Sequence, residues 1–574
     1  MNPGQLLTHF DRISEAPDAI PRLRRFILDL AVRGKLVEQD PRDEPASELL
    51  KRIQEEKAQS LKLRGVGEEV EPSKVEQAEF PFWIPPSWRW VHLIDVLIKL
   101  TDGTHHSPTN LSHGAFKYIT AKNIKSEGVS LADISYVTAK VHHEIYSRCN
   151  PEKGDILYIK DGATTGIVTI NDLDEPFSML SSVALLKPST SVYNRLIVEF
   201  LRSPFFYMQM RGFMKGAAIT RVTLKRMAPA LVPLPPLAEQ HRIVAKVDEL
   251  MALCDRLEAA QAERERRRDR LITAAHSSVS NSSSHIAHST FFINHLPRLT
   301  TRPERIQQLR QTILSLAVSG KLVPQDSNDE PVNTALQRLE LKGGNHKVRR
   351  GVPIHVPKPA FVEENTLPPG WAMESTARLL RLGAIQDLKD GNHGANHPKV
   401  SDFSQEGLSF ITAAQVSNNG RIDYDGAHKL SGSPLAKIRV GFAKAGDLIY
   451  THKGSVGRVA LCDRDCILSP QTTYYRVNDV VLSNRYLRMF LLSQPFQQQV
   501  DEVKGQTTRD FVSIKTQYGF FIRVPPILEQ HRIVAKVDEL MALCDRLEAQ
   551  LTITQSESHR LLEAVLHEAL APAA

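Results

Sequence analysis

The chain has 574 residues, 41% of them apolar and 24% charged, with a formal net charge of +7 and a pI near 9.0. That is room for several domains with sizeable cores in a globular protein, and the basic excess fits a polyanionic partner. No membrane span is expected, since no run of roughly 18 apolar residues occurs, and no secretory signal, since MNPGQLLTHFDRISEAPDA lacks the basic-then-apolar order.

Residues 1–62 are expected to be a helical region. IPRLRRFILDLAVRG has apolar residues at helical spacing and stops at Gly34. Residues 63–85 are polar and Pro-containing and read as a linker. Residues 86–236 form a compact segment of short β-branched and aromatic runs, such as DILYI and SVALL, separated by Gly, Asp and Asn. One helix is expected near its end, from Asn194 to about Met210.

Residues 237–275 read as a long helix, entered through Pro235–Pro236. Ile243, Val247, Leu250, Cys254 and Leu257 follow one another at spacings of four, three, four and three, a heptad seam. From Glu239 to Ala275 such a helix is about 55 Å long, at roughly 1.5 Å per residue. Its basic run RERRRDR reads as a solvated face, with a phosphate contact as the alternative. Residues 276–304 are a Ser-rich linker.

The plan then repeats, with a helical region at 305–341, a linker at 342–366, a compact segment at 367–526 and a long helix at 527–574. LAVRGKLVEQDPRDEP returns as LAVSGKLVPQDSNDEP, IPPSWRW as LPPGWAM, KYITAKNI as SFITAAQV, and KGDILYIKDGATTGIV as AGDLIYTHKGSVGRVA. EQHRIVAKVDELMALCDRLEA, Glu239 to Ala259, recurs unchanged from Glu529 to Ala549. The second seam is therefore Ile533, Val537, Leu540, Cys544 and Leu547. Two readings stay open for the seams: each packs on its own domain, or the two pack on each other as a self-complementary pair. The five cysteines form no disulfide framework and no paired CxxC zinc pattern, so a reducing cytoplasm is expected, with Cys254 and Cys544 as small packing residues.

No phosphate-binding GxxxxGK[ST] loop, no GxGxxG after a strand, no Gly-x-Ser-x-Gly elbow and no Asn-Pro-Pro-Tyr tetrapeptide is present. The matched pair DGTHHSP and DGNHGANHP carries His105, His106, His393 and His397. No Cys or carboxylate completes a ligand set in both copies, so a polar Asp-Gly turn is expected and no metal.

The repeated PLPPLAEQHRIVAKVDEL and PPILEQHRIVAKVDEL, about 290 residues apart, with LAVRGKLV and LAVSGKLV, resemble the specificity subunits of type I DNA restriction–modification enzymes. The resemblance covers essentially the whole chain. It implies an α+β fold: two mixed α/β target recognition domains separated by two long antiparallel helices, an intramolecular coiled coil with a pseudo-twofold internal repeat. It implies a non-catalytic subunit whose two recognition domains each read one half of a split double-stranded DNA target, while the helices set the spacer. It further implies two methyltransferase subunits that use S-adenosylmethionine, and, in systems that also cut, two restriction subunits that use ATP and Mg²⁺. No cofactor is then expected in this chain. An enzyme acting alone on DNA, or a coiled-coil scaffold unrelated to DNA, are the rival readings.

Polar loop residues that differ where the frame matches are the expected DNA contacts. In the first copy these are Thr104, His105, Lys122, Asn123, Lys160, Thr164, Lys215, Thr220 and Arg221. In the second they are Asn392, His393, Gln415, His452, Lys453, Ser455, Lys504, Gln506, Thr508 and Arg509.

Overall fold

A computed structural model of the chain describes residues 16, 18–63, 75–76, 79–211, 221–281, 295, 302–342, 351–358, 367–394, 397–503 and 511–570. They fall into two units, 1–264 with 555–574, and 265–554. Among the described residues no helix is long and apolar enough to cross a membrane.

In the first unit α1 (Ala19–Val32) buries Ile20, Ile27, Leu28 and Ala31, residues at helical spacing. It ends before Gly34, whose φ of +67° suits glycine, and a Cβ there would stand 2.5 Å from Pro85. After α2 (Ala46–Leu63), the compact segment opens with β1 (Arg89–His92). The segment runs through β2 (Leu97–Asp102), β3 (Phe116–Ile119), β4 (Ser135–Val137), α3 (Ala139–Arg148), β5 (Ile156–Ile159), β6 (Val168–Ile170), β7 (Ser178–Met179) and β8 (Val183–Pro188). It ends with α4 (Asn194–Arg202), α5 (Pro204–Arg211) and β9 (Leu231–Leu234), before the long helix α6 (Leu237–Asn281).

Strands β1 and β9 pair antiparallel, with Arg89 opposite Leu234 and His92 opposite Leu231. The segment therefore begins and ends at one place, and everything between is a loop-like insertion on the helical frame. Its main sheet has the order β2–β8–β5–β6, and a smaller one the order β4–β3–β7. The sequence ILYI of β5 is buried on both faces, because its alternate residues serve two cores. Ile156 and Tyr158 face the core built with the frame helix α2 and with α4, while Leu157 and Ile159 face a second core with Ile119, Phe177 and Met179. One sheet thus joins the frame to a distal lobe.

The second unit repeats the plan. It contains α7 (Ile306–Ala317), α8 (Val332–Lys342), β10 (Ala372–Ser375), α9 (Thr376–Leu382), β11 (Ile385–Asp390), β12 (Leu408–Ile411), β13 (His428–Leu430) and β14 (Phe442–Ala443). There follow β15 (Leu448–Thr451), β16 (Val459–Leu461), β17 (Cys466–Leu468), β18 (Thr472–Val477), α10 (Asn484–Leu492), α11 (Gln494–Val503), β19 (Phe521–Val524) and α12 (Ile527–Leu570). Strands β10 and β19 close the segment, Ala372 opposite Val524. The sheet β11–β18–β15–β16 corresponds strand for strand to the first.

The single helix expected near the end of each segment is two. Ser203 breaks α4 from α5 and Ser493 breaks α10 from α11, both in extended conformation, and each hydroxyl bonds back to Phe200 or Phe490. A proline follows closely in each copy, at 204 and 495, and Pro204 disfavours helical backbone at Ser203.

Each seam is covered inside its own unit. Ile243, Val247 and Cys254 are buried against Ile20, Ile27, Leu28 and Ala31 of α1, with Leu250 and Leu257 partly buried alongside. Ile533, Val537, Leu540 and Cys544 are buried in the core that holds Ile306, Leu309 and Ile313 of α7, and Leu547 packs at its edge. Within each unit the seam's partner is thus a short helix of the same repeat, as the first of the two open readings has it. The physical reason lies in α1 and α7, which bring an apolar face of their own to the seam. All five cysteines are buried and free.

The repeated polar residues of the long helix form one lock per unit. Trp88 Nε1 donates to Glu239 at 2.9 Å and Gln39 donates to the other oxygen at 2.5 Å. Gln240 accepts from the backbone of Tyr193 at 2.9 Å, and Arg242 pairs with Asp43 at 2.6 Å. Asp248 takes both guanidinium nitrogens of Arg195, and Asp255 and Glu258 share Arg24. In the second unit Glu529 takes Trp371 and Gln325, Gln530 takes the backbone of Ser483, and Arg532 pairs with Asp329. Asp538 there takes Arg485, while Asp545 and Glu548 share Arg310. Burial raises the Glu239 and Glu529 carboxyl pKa values, against the hydrogen bonds and nearby arginines that lower them.

Candidate nucleic-acid interface

In each unit one end of the main sheet gathers three stretches: the chain leaving the first strand, the turn after the third, and the residue that re-enters the segment before its last strand. In the first unit these are Asp102–His106, Lys160–Gly166 and Arg221. Thr104 bonds through its backbone to Met179 and Ser181, and the Lys160 N–H bonds to Ser182. Arg221 bridges to Asp161. The Asp-Gly step is a close approach of two backbones, since a Cβ on Gly103 would lie 1.9 Å from the Met179 carbonyl oxygen. A Cβ on Gly391 would likewise lie 1.8 Å from the Leu468 carbonyl oxygen.

Asp102 lies at the centre of the first cluster. His105 Nε2 stands 3.3 Å from one carboxylate oxygen and Lys160 Nζ 3.4 Å from the other. Lys160 also reaches Asp161 at 3.1 Å, and Asp161 meets Arg221 at 3.2 Å. Arg148 donates to the Asp102 carbonyl at 3.1 Å. Lys160 is buried, whereas His105 and Arg221 are about half exposed.

The second cluster has the same frame and other chemistry. Asp390 holds His393 at 2.7 Å. The position of Lys160 is taken by His452, also buried. Its Nδ1 faces Thr473 at 2.9 Å and the Gln517 amide at 3.0 Å, and its Nε2 faces the Pro470 carbonyl at 3.0 Å. An amide nitrogen only donates and a carbonyl only accepts, so the ring is neutral with its proton on Nε2. Burial pushes its pKa down to about 4. Lys453 is exposed, lies over the Phe511 ring at 5.9 Å, and pairs with it as Asp161 pairs with Arg221.

The expected contacts therefore divide. Thr104, His105, Thr164, Arg221, His393, Lys453 and Ser455 sit in the two loop clusters, partly or fully exposed. Exposed Lys122 lies apart from the first cluster's hydrogen bonds, beside the turn closed by Asn123.

Four of the expected contacts are internal supports. Asn123 is buried, accepts from Thr120 at 3.1 Å and donates to Ser130 at 3.2 Å. Gln415 makes the matching contact to Thr412 at 3.2 Å. Asn392 is buried between Arg439 and Val440, at 3.0 and 2.8 Å. His452 is the fourth, and buried Lys160 joins this group by its position. The Asn123, Gln415 and Asn392 amides bond backbone groups of turns, and His452 bonds the Pro470 carbonyl, so each gives a partner to backbone groups outside the strands. Lys215, Thr220, Lys504, Gln506, Thr508 and Arg509 lie outside the described residues.

Asp102, Asp390, Arg148, Gln517 and Phe511 escaped the sequence reading. A carboxylate before glycine in both copies was the available signal for Asp102 and Asp390. His105 and His393 each rest on that carboxylate, and among the described residues no group of three or more His, Cys, Asp or Glu is placed to hold a metal ion.

Residues 87–264 match the family model described as "Type I restriction modification DNA specificity domain". The chain is 27% identical to the type I restriction enzyme EcoAI specificity subunit of Escherichia coli, over 96% of this chain and 94% of that one. It is 26% identical to the EcoEI specificity subunit of Escherichia coli, with the same coverage. Among solved structures, the HsdS subunit from Thermoanaerobacter tengcongensis aligns with 86% of this chain and 99% of its own, at 20% identity and a TM-score of 0.45. By the domain matched at residues 87–264 and by alignments that run nearly end to end, the chain is similar to the specificity subunits of type I restriction–modification enzymes.

Proposed function

We propose that the chain is the DNA-reading, non-catalytic subunit of a type I restriction–modification complex, each recognition segment reading one half of an asymmetric bipartite target. One observation carries this reading: the same frame occurs twice, and at one sheet end each copy presents a loop cluster of different polar residues. A half-site of a few base pairs discriminates weakly, since each mismatch costs roughly 1–3 kcal/mol, and two linked readers combine their discrimination. Exposed cations such as Arg221 and Lys453 suit phosphates or base edges. The long helices set the spacer, and their repeated outer faces dock two methyltransferase subunits that bring S-adenosylmethionine. Restriction subunits, where present, bring the ATP- and Mg²⁺-dependent step. The complex works in the cytoplasm, where buried free cysteines stay reduced.

The test is reconstitution. The purified chain is incubated with duplex DNA, S-adenosylmethionine, Mg²⁺ and ATP, alone and with its methyltransferase subunits. Sequence-selective, salt-sensitive methylation by the assembly only is expected. Turnover by the chain alone, or methylation without sequence preference, contradicts the reading.

A further inference from the structure

Two carboxylates and a lysine stand in a row beneath the first loop cluster. Lys160 is buried at 1% exposure, with its ammonium 3.4 Å from Asp102 and 3.1 Å from Asp161. A buried ammonium needs such partners, because isolated burial of a charge is very unfavourable. The far side of each carboxylate meets a surface side chain: the His105 imidazole on Asp102, and the Arg221 guanidinium on Asp161 at 3.2 Å. The row thus begins and ends at the surface, on two different loops, and its only buried cation is in the middle.

The second unit shows that this arrangement is a choice and not a demand of the fold. There the buried position holds neutral His452, the next residue is Lys453 in place of Asp161, and Phe511 stands in place of Arg221. The three exchanges go together. Removing the buried positive charge goes with removing the second carboxylate, and with removing the arginine that this carboxylate holds.

We infer that Lys160 is a positioning residue for DNA reading: by fixing Asp161 and Asp102 from below, it orients Arg221 and His105 toward the half-site read by the first unit. It touches no DNA itself. Without its charge the two carboxylates repel each other, and Asp161 no longer presents a fixed oxygen to the Arg221 guanidinium. A guanidinium held by a carboxylate keeps fewer rotamers, and preorganisation of this kind favours one base edge over others. The inference rests on the proposed DNA-reading role of the first segment.

The test uses the chain assembled with its methyltransferase subunits. The preferred duplex is first selected from a randomised DNA library with the unsubstituted complex. Binding of that duplex, and of duplexes altered in one half-site, is then compared for Lys160→Met, Arg221→Met and the double variant. Lys160→Met is expected to lose on the order of tenfold discrimination at one half-site, leaving the other half-site and non-specific binding unchanged. Arg221→Met should lose no more than this at the same half-site, and the double variant no more than Lys160→Met alone, because Lys160 acts on Arg221 through Asp161. Asp161→Asn leaves Lys160 paired with Asp102 and should reproduce the loss, which decides the matter if Lys160→Met folds poorly. Additive losses, equal losses at both half-sites, or unchanged discrimination in Asp161→Asn overturn the inference. An unsubstituted complex that selects no sequence overturns the DNA-reading role itself.

Discussion

The indole N–H of Trp88 donates to the Glu239 carboxylate at 2.9 Å, inside the frame of the first unit, and Trp371 repeats the bond to Glu529 at the same distance. This pair ties the entry of the recognition segment to the first turn of the long helix. Glu239→Ala leaves the indole and the Gln39 amide without a partner in a buried place, and should destabilise the first unit by about 2 kcal/mol. Denaturant unfolding checks this. Glu529→Ala should act alike on the second unit, and the double variant should show the sum, since the two locks share no residue.

The packing of the seams makes a second prediction. Ile243 is fully buried against α1, so Ile243→Ala should destabilise the protein by roughly 2–4 kcal/mol. Ile20→Ala, on the opposite face of the same core, should couple to it in a double-mutant cycle. Independent effects of the two substitutions would mean that the seam rests on something else.

Gly103 and Gly391 supply a third. Their Cβ positions fall within 2 Å of a carbonyl oxygen, which neither a rotamer change nor a flexible neighbour relieves. Gly103→Ala must shift the loop that carries Thr104 and His105, at a stability change of about 1–3 kcal/mol. DNA discrimination should fall at one half-site only, measured by binding to duplexes altered in either half.

His452 gives a pH dependence. Its pKa in the folded chain, about 4, lies below that of an unfolded imidazole, about 6.5. Neutral His452 therefore contributes its full stability above about pH 6.5, and the contribution is lost as pH falls through about 4. At full protonation the loss is on the order of 3 kcal/mol. His452→Gln should flatten the acid limb of the unfolding curve over this window.

The frame was legible in the sequence because its signals are local and repeated. The heptad spacing from Ile243 to Leu257, the stops at Gly34 and Gly320, and the strand runs ILYI and LIYT each became the expected element. The break at Ser203 was missed although Pro204, which disfavours helical backbone before it, was there to read, because the apolar pattern runs on past the proline. The site was half legible. Arg221 and Lys453 lie at the loop clusters as their polarity suggested. Lys160, Asn123, Asn392 and His452 looked the same in sequence and are buried, because burial of a polar side chain depends on partners distant along the chain, such as Ser182 for the Lys160 backbone or Gln517 for His452.

On the proposed function, each recognition segment is an independent reader set into a fixed frame. Strands β1 and β9 mark its limits, so residues 89–234 can be exchanged for the matching segment of another specificity subunit while α1, α2 and α6 remain. The most direct measurement is a map of the adenines methylated by the complex that carries the exchange. One half of the bipartite target is expected to change while the other half and the spacer stay as they were. A change in both halves, or in neither, would contradict that reading.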